Sequence, residues 1–165
     1  MSTDPSRVHG TTYNLLFVCT GNTCRSPMAA AIATGLLEAR GWTHVAVQSA
    51  GTGAASGASA SPHAVDVARE HDLDLGAHSS QPLTEELVQW ADLILTMSTS
   101  HIHAVTALGG LDKVSLVTQF LEGGAAGAPV ADPFGGDHDS YREAFAQLAE
   151  AVTAVLDSLE PILAP

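Results

Sequence analysis

The chain alternates short apolar segments with longer segments rich in helix-forming residues, and this order limits the folds open to it. Strands are predicted at residues 13–19, 45–50, 92–98 and 114–118. Helices are predicted at residues 27–40, 61–71, 84–90, 99–108 and 140–159. Strands that alternate with helices form right-handed βαβ units. We therefore expect an α/β fold, a single three-layer domain in which helices flank a four-stranded parallel sheet.

Length and composition favour one globular domain. At 165 residues, of which 45% are hydrophobic, the chain can bury a core without disulfides or metals. Residues 1–12 are predicted to be a disordered polar tail, and residues 13–165 the domain. No apolar stretch reaches the ~20 residues that span a bilayer, and the N-terminus lacks the layout of a signal peptide. We expect a cytoplasmic protein with no membrane partner and, by default, a monomer.

The charge of the chain argues against one class of partner. The net charge is −12, and the six Lys and Arg residues are scattered along the sequence. Because there is no basic stripe to follow a phosphate backbone, nucleic acid is not an expected partner. The negative field also repels anionic ligands, so an anion site has to be built locally from backbone N–H groups and a well-placed arginine.

The segment between the first strand and the first helix meets that requirement. Residues 19–27 read CTGNTCRSP. A loop at this place can turn successive N–H groups inward beside the positive end of the helix dipole, and Gly21 offers the freedom for that curl. Arg25 has a planar fork that suits two phosphoryl oxygens. The positive surroundings favour the nucleophilic thiolate of Cys19, and Ser26 can donate a hydrogen bond to the departing sulfur.

This segment resembles the signature of the low-molecular-weight protein phosphatase family. The resemblance implies that Cys19 is the nucleophile and Arg25 the oxyanion clamp of a phosphate-binding loop after the first strand. The other members of that loop are Thr20, Gly21, Asn22, Thr23, Cys24 and Ser26. Asn22 and Ser26 would belong to the hydrogen-bond network that shapes the loop. Cys24 would either form a reversible disulfide with Cys19 under oxidation or simply pack in the loop.

Three positions elsewhere extend the resemblance. The family places its general acid in an Asp-Pro motif late in the chain, and here Asp132 begins the string DPFGG. Asp132 would protonate the leaving group in the first step and activate water in the second. Ser49 matches a serine that braces the phosphate-binding loop. His78 matches a histidine of the same network, although a surface histidine is the alternative interpretation.

The remaining histidines carry no predicted function. His101 and His103 have no cysteine partners at metal-ligand spacing, so we expect both at the surface. His138 follows DPFGG closely, and the sequence assigns it no role. The mechanism that the resemblance implies needs neither a metal ion nor another cofactor.

The family includes phosphatases for phosphoarginine and for phosphotyrosine. Tyrosine-specific members commonly carry an aliphatic residue at the position of Thr23 and more aromatic residues around the pocket, where this chain supplies Phe134. The Thr23 hydroxyl can accept a hydrogen bond from a guanidinium, and such a site rejects analogues that lack the donor. The combination of CTGNTCRSP with DPFGG resembles bacterial protein-arginine phosphatases. We therefore favour phosphoarginine in proteins as the substrate, with phosphotyrosine as the alternative.

Two other hypotheses rank below these. Arsenate reductases of this fold generally need further cysteines or a thiol cofactor, and no cysteine lies beyond the loop. A redox-sensing phosphate-binding module would use Cys19 and Cys24 but would not need Arg25 or Asp132. The sequence therefore favours a cysteine-dependent phosphatase that acts on phosphorylated proteins through a phosphocysteine intermediate.

Overall fold

A computed structural model describes residues 12–164 of the chain. Within this range the strands are β1 (Tyr13–Cys19), β2 (Val45–Gly51), β3 (Leu93–Thr96) and β4 (Val114–Leu116). The α-helices are α1 (Arg25–Arg40), α2 (Pro62–Glu70), α3 (Glu85–Trp90), α4 (Thr99–Ala107) and α5 (His138–Leu163). Short 3₁₀ turns lie at Leu111–Lys113, Val117–Phe120 and Gly123–Ala125. The predicted α/β class is confirmed, whereas the predicted tail at residues 1–12 lies, except for Thr12, outside the described residues.

The four strands form one parallel sheet in the order β2-β1-β3-β4. The chain moves from β1 to one neighbour, β2, and later returns on the other side of β1 with β3. In open sheets of this kind the crevice beside such a reversal, at the carboxyl ends of the strands, is where ligands bind. Cys19 is the last residue of β1 and lies in register with Gly51 of β2, so the predicted nucleophile stands at that crevice.

Helices cover both faces of the sheet, and the side chains of β1 alternate between two hydrophobic clusters. Leu15 and Phe17 pack in a cluster that includes residues of α1, α2 and α5. Leu16 and Val18 pack in a second cluster with residues of α3 and α4. Because both faces are covered, β1 is apolar at nearly every position rather than at every second one. Among the described residues, each helix is too short or too polar to cross a membrane.

Several predicted boundaries are wrong by a few residues. α1 begins at Arg25 rather than at Pro27, because the helical backbone already starts after Cys24. The predicted third and fourth strands are too long, since β3 and β4 end at Thr96 and Leu116 and a 3₁₀ turn follows β4. α5 begins before Ser140 because the Asp137 carboxylate accepts a hydrogen bond from the Ser140 N–H at 3.0 Å and caps the helix there.

Candidate active site

Residues 19–26 form a tight loop whose turn is made at Asn22. Asn22 is fully buried and has φ 57°, a left-handed backbone that asparagine adopts more readily than most residues. The turn brings the Asn22 N–H to 3.3 Å from Cys19 Sγ. The prediction that Gly21 provides the freedom for the curl is therefore wrong, because the left-handed conformation falls one residue later, at Asn22.

The carbonyl oxygens of the loop bond to groups outside it. Thr52 and Gly53 donate their N–H groups to the carbonyls of Cys19 and Thr20, both at 2.9 Å. The carbonyls of Asn22 and Thr23 accept from His78 Nε2 at 2.7 Å and from the Ser61 N–H at 2.9 Å. In a trans peptide the N–H points away from the C=O, so these bonds turn the following N–H groups toward the inside of the loop. Successive inward N–H groups make an anion-binding concavity.

The close approach of β2 to this loop requires glycine at position 51. A Cβ atom on Gly51 would lie 2.4 Å from the Thr20 carbonyl oxygen and 3.0 Å from the Asn22 nitrogen. Both atoms belong to the backbone of the loop and cannot move aside without changing its shape. The end of β2 is thus matched to the loop after β1, which fixes the position of Ser49 two residues earlier.

The Asn22 side chain is the centre of the hydrogen-bond network behind the loop. Its Nδ2 donates to Ser26 Oγ at 2.8 Å and to Ser49 Oγ at 2.9 Å. Its Oδ1 accepts from the Gln81 N–H at 2.9 Å. Ser26 Oγ in turn lies 2.9 Å from Cys19 Sγ. The structure therefore brings all four predicted network residues together, since His78 bonds to the Asn22 carbonyl, and it adds Gln81, which was not predicted as a member.

Arg25 and Asp132 meet at the edge of the loop. The Arg25 side chain is buried, and its Nη1 donates to the Val130 carbonyl at 2.9 Å. Its Nη2 lies 3.6 Å from Asp132 Oδ2. The other carboxylate oxygen of Asp132 accepts from the Phe134 N–H at 3.1 Å, and half of the side chain stays exposed. Asp132 is thus held by its own turn and still reaches the cleft.

These groups line one small cleft of about 190 Å³. Its lining residues are Cys19, Thr20, Gly21, Thr23, Cys24, Arg25, Asp132 and Phe134. Cys19 is 2% exposed, whereas Phe134 is 74% exposed, which distinguishes the buried thiol from the outer rim. The volume suits a phosphoryl group with the end of one side chain, because pockets for larger ligands are typically about 300 Å³ or more.

Cys24 faces away from the Asn22 network toward α2 and α5. Its Sγ lies 3.3 Å from Tyr141 Oη and 3.4 Å from Ser61 Oγ. Burial, together with the hydrogen bond to the Cys24 sulfur, raises the pKa of Tyr141, so its hydroxyl keeps its proton. Both cysteines are free, buried thiols. Their disulfide under oxidation stays a prediction.

His101 belongs to the site, and its predicted surface position is wrong. It is 3% exposed, with Nε2 at 2.9 Å from Thr20 Oγ1 and Nδ1 at 3.2 Å from Ser98 Oγ. Burial, reinforced by the positive charge of Arg25, lowers the pKa of His101 to about 4. The sequence feature that could have revealed this is the position of His101 just after β3, at the ligand-binding edge of the sheet. His103, by contrast, is exposed.

The lowered pKa of His101 should make the protein sensitive to acid. A native state that prefers the neutral imidazole loses stability as pH falls from about 6.5 through the folded-state value of about 4. We expect wild type to lose up to about 3 kcal/mol more over this window than His101→Asn does. Urea unfolding at several pH values measures the difference. The control is His103→Asn, which should follow wild type; identical pH dependence in all three proteins would contradict the assignment.

Comparison with known proteins identifies the family. A sequence model of the protein family described as "Low molecular weight phosphotyrosine protein phosphatase" matches residues 14–162 of this chain. A protein-arginine-phosphatase of Bacillus subtilis (strain 168) is 40% identical over 149 residues, 89% of this chain and 97% of that protein. A probable low molecular weight protein-tyrosine-phosphatase, EpsP of Ralstonia solanacearum, is 35% identical over 145 residues, 85% of this chain and 91% of that protein.

A solved structure agrees with this family assignment. It is a mutant of the arginine phosphatase YwlE with a phosphorylated active-site serine, and it superposes with a TM-score of 0.83 at 38% identity. The match covers 90% of this chain and 97% of the other. The chain therefore belongs to the low-molecular-weight phosphotyrosine protein phosphatase family.

Proposed function

We propose that this chain is a cysteine-dependent phosphatase that removes phosphoryl groups from phosphoarginine in proteins. One observation supports this above all: Cys19, Arg25 and Asp132 line the same cleft, although Asp132 is far from the other two in the sequence. A thiol nucleophile, a cationic clamp and a carboxyl group in one small cleft are the groups that transfer of a phosphoryl group to sulfur requires.

In the first step the Cys19 thiolate attacks phosphorus, and the bond from phosphorus to the guanidine nitrogen breaks. The nitrogen leaves with the bonding electron pair and takes a proton from the Asp132 carboxyl group. The inward N–H groups of the loop and the Arg25 guanidinium bind the phosphoryl oxygens, where negative charge is concentrated in the transition state. The products are a phosphocysteine and a neutral arginine side chain, which then takes up a proton from water.

In the second step water attacks the phosphocysteine. Asp132, now a carboxylate, accepts a proton from that water, the phosphorus–sulfur bond breaks, and Cys19 leaves as a thiolate. Two groups are placed to stabilise the departing sulfur: Ser26 Oγ at 2.9 Å and the Asn22 N–H at 3.3 Å from Sγ. The side-chain amide of Asn22 holds Ser26 Oγ in position, so the hydrogen-bond network behind the loop stabilises the Cys19 sulfur rather than binding the substrate.

The choice of phosphoarginine rests on Thr23. Thr23 lines the cleft, and its Oγ1 lies 3.8 Å from Cys24 Sγ, too far for a strong hydrogen bond. The hydroxyl is thus available to accept a hydrogen bond from an N–H of the substrate's guanidine group, which a phenyl ring cannot offer. The Bacillus relative, which is named a protein-arginine-phosphatase, supports the same choice.

Phosphotyrosine is the second candidate, and Phe134 is the observation that favours it. This aromatic ring is 74% exposed and lies on the rim of the cleft, where it can pack against the phenyl ring of a bound phosphotyrosine. The Ralstonia relative carries a tyrosine-phosphatase name. A single aromatic wall gives weaker selection than a ring held on both faces, so we rank this substrate second.

The test compares matched peptides that carry phosphoarginine or phosphotyrosine. We expect wild type to have the higher kcat/KM for phosphoarginine, and Thr23→Ile to lower that preference by about 10- to 100-fold, because the acceptor is lost. Thr23→Ser keeps the hydroxyl and should keep most of the preference. If wild type prefers phosphotyrosine and no substitution at Thr23 changes that preference, the argument from Thr23 is wrong. The proposal that the chain is a phosphatase would still hold.

The proposed partners are phosphorylated proteins, and we place the enzyme in the cytoplasm as a monomer. The chemistry supports this location, because a nucleophilic thiol beside a second thiol stays reduced where glutathione and thioredoxin maintain free cysteines. Sedimentation of the reduced protein measures the state of association, and a dimer would contradict the monomer.

A further inference from the structure

A second group of chemically reactive side chains lies outside the cleft, between α2 and the start of α5. One ligand atom from each of His63, Asp66 and His138 falls within 4.8 Å of the other two. We propose that these three side chains form a binding site for a divalent transition-metal ion, with Zn²⁺ as the ion of best fit. The proposal is independent of the proposed phosphatase chemistry, since none of these side chains lines the cleft.

The distances match those between ligands of one zinc ion. His138 Nε2 lies 3.3 Å from His63 Nδ1 and 3.2 Å from Asp66 Oδ2. Two ligand atoms bound tetrahedrally at about 2.0–2.1 Å from zinc are separated by about 3.3 Å. The two separations that involve His138 therefore already match the spacing that zinc imposes, and the ligand atoms of His63 and Asp66 lie within 4.8 Å of each other.

A proton satisfies this arrangement less well than a metal ion does. Nε2 of His138 contacts a carboxylate oxygen, which only accepts hydrogen bonds, and a ring nitrogen of His63. If Nε2 carries a hydrogen and donates it to Asp66, that hydrogen does not also serve Nδ1 of His63; if Nε2 carries none, it can accept a hydrogen from His63 Nδ1, but its lone pair then faces the lone pairs of Asp66. A cation placed among the three atoms interacts favourably with all of their lone pairs at once.

The two helices hold the ligands in fixed positions. His63 and Asp66 are three residues apart on α2, so they lie on the same face of that helix. His138 is the first residue of α5, and the Asp137 cap sets the point at which that helix starts. The His63 ring also packs edge-on against the rings of His138 and Tyr141, with centroids 4.1 and 5.3 Å away. Ligands held by packed rings lose little freedom when a metal binds.

The donor set selects the class of metal. Two imidazoles and one carboxylate suit Zn²⁺ and its neighbours better than Mg²⁺ or Ca²⁺, which prefer oxygen alone. Side-chain exposures of 42% for His138 and 47% for Asp66 leave room for water as the fourth ligand. The second oxygen of Asp66 lies 3.7 Å from Arg69, an exposed contact that leaves Oδ2 free to bind the ion.

A bound ion would join α2 to α5 next to the cleft. Ser61, which precedes α2, and Tyr141, in the first turn of α5, both contact Cys24 of the loop. The segment from Asp132 to Asp137 leads directly into His138. Zinc at this place is therefore expected to stabilise the wall formed by the two helices and the turn that carries Asp132.

The test uses the Cys19→Ser/Cys24→Ser protein without an affinity tag, because the two thiols also bind zinc. Titration calorimetry should show one Zn²⁺ per chain. At free Zn²⁺ 100 times the dissociation constant, Tm should rise by about 5–10 °C. Co²⁺ should give the visible bands of a tetrahedral nitrogen and oxygen site.

Asp66→Asn and His138→Gln, made in the same background, should each weaken Zn²⁺ binding by at least about 100-fold, more than the loss of an outer-shell partner costs. Asp66→Asn is nearly isosteric, and its Tm in EDTA shows whether it remains folded. His103→Ala is the control, because His103 is exposed on α4, and it should bind as the parent does. No stoichiometric binding by the parent, or equal binding by all the variants, would overturn the proposal.

Discussion

Cys19→Ser should lower turnover of every phosphorylated substrate by at least about 10³-fold. A serine hydroxyl is a far weaker nucleophile than a thiolate, and activating it requires a base. Ser26 Oγ and the Asn22 N–H form hydrogen bonds with Cys19 Sγ, and both stabilise an anion rather than remove a proton. Phosphate release from the peptide and from a generic aryl phosphate, with the protein reduced, measures the loss.

The same substitution should leave the binding site in place. Serine is slightly smaller than cysteine, and its hydroxyl can keep the hydrogen bond to Ser26. Binding of phosphate or vanadate should therefore change by less than about tenfold. Cys24→Ser is the matched control, because it removes a thiol from the same loop while the proposed nucleophile stays; it should lose far less turnover. If Cys19→Ser retained a tenth of the wild-type rate, Cys19 would not be the nucleophile.

The fold was accessible from the sequence because its signals are local. The nearly continuous apolar run of β1 reflects burial on both faces, and the alternation with helices then allows few topologies. The ends of β3 and β4 were predicted less well. Apolar residues continue past Thr96 and Leu116, so composition alone does not show that the extended backbone stops there.

The residues of the candidate site also differ in how well the sequence predicts them, depending on whether their contacts are local. Residues 19–26 are contiguous, so a strand, a polar loop and a helix in succession were enough to bring them together. His101 reaches Thr20 only through the pairing of β3 with β1, and its burial depends on packing that no local pattern encodes. The left-handed turn at Asn22, rather than at Gly21, follows from the hydrogen bonds that its side chain makes with Ser49 and Gln81.

The contact between His63 and His138, which joins α2 to α5, was not predicted from the sequence for a related reason. His63 and Asp66 are neighbours on α2, but His138 follows Asp66 by 72 residues, after β3 and β4, and becomes a partner only when α5 packs beside α2. A spacing rule based on short motifs does not detect a site that two distant helices share. Tertiary packing is the step at which such sites arise.

Asp132→Asn should slow the first chemical step on phosphoarginine by about 10²–10⁴-fold. Guanidine is a very basic leaving group, and it departs only when it receives a proton as the bond to phosphorus breaks. Asparagine can accept the hydrogen bond from the Phe134 N–H as Asp132 does, so the turn should survive. Substrate binding should change little, since asparagine has nearly the same shape as the carboxyl group that donates the proton. Single-turnover kinetics separate the chemical step from binding.

The leaving group distinguishes a proton donor from a residue that merely shapes the cleft. A nitrophenolate departs without help, so Asp132→Asn should slow phosphocysteine formation from nitrophenyl phosphate far less than from phosphoarginine. A defect of the cleft would slow both substrates equally, because both place the same phosphoryl group against Arg25. Asp112→Asn changes an exposed carboxylate in a 3₁₀ turn away from the cleft and should match wild type on both. Equal losses on the two substrates would mean that Asp132 positions Arg25, 3.6 Å away, rather than donating the proton.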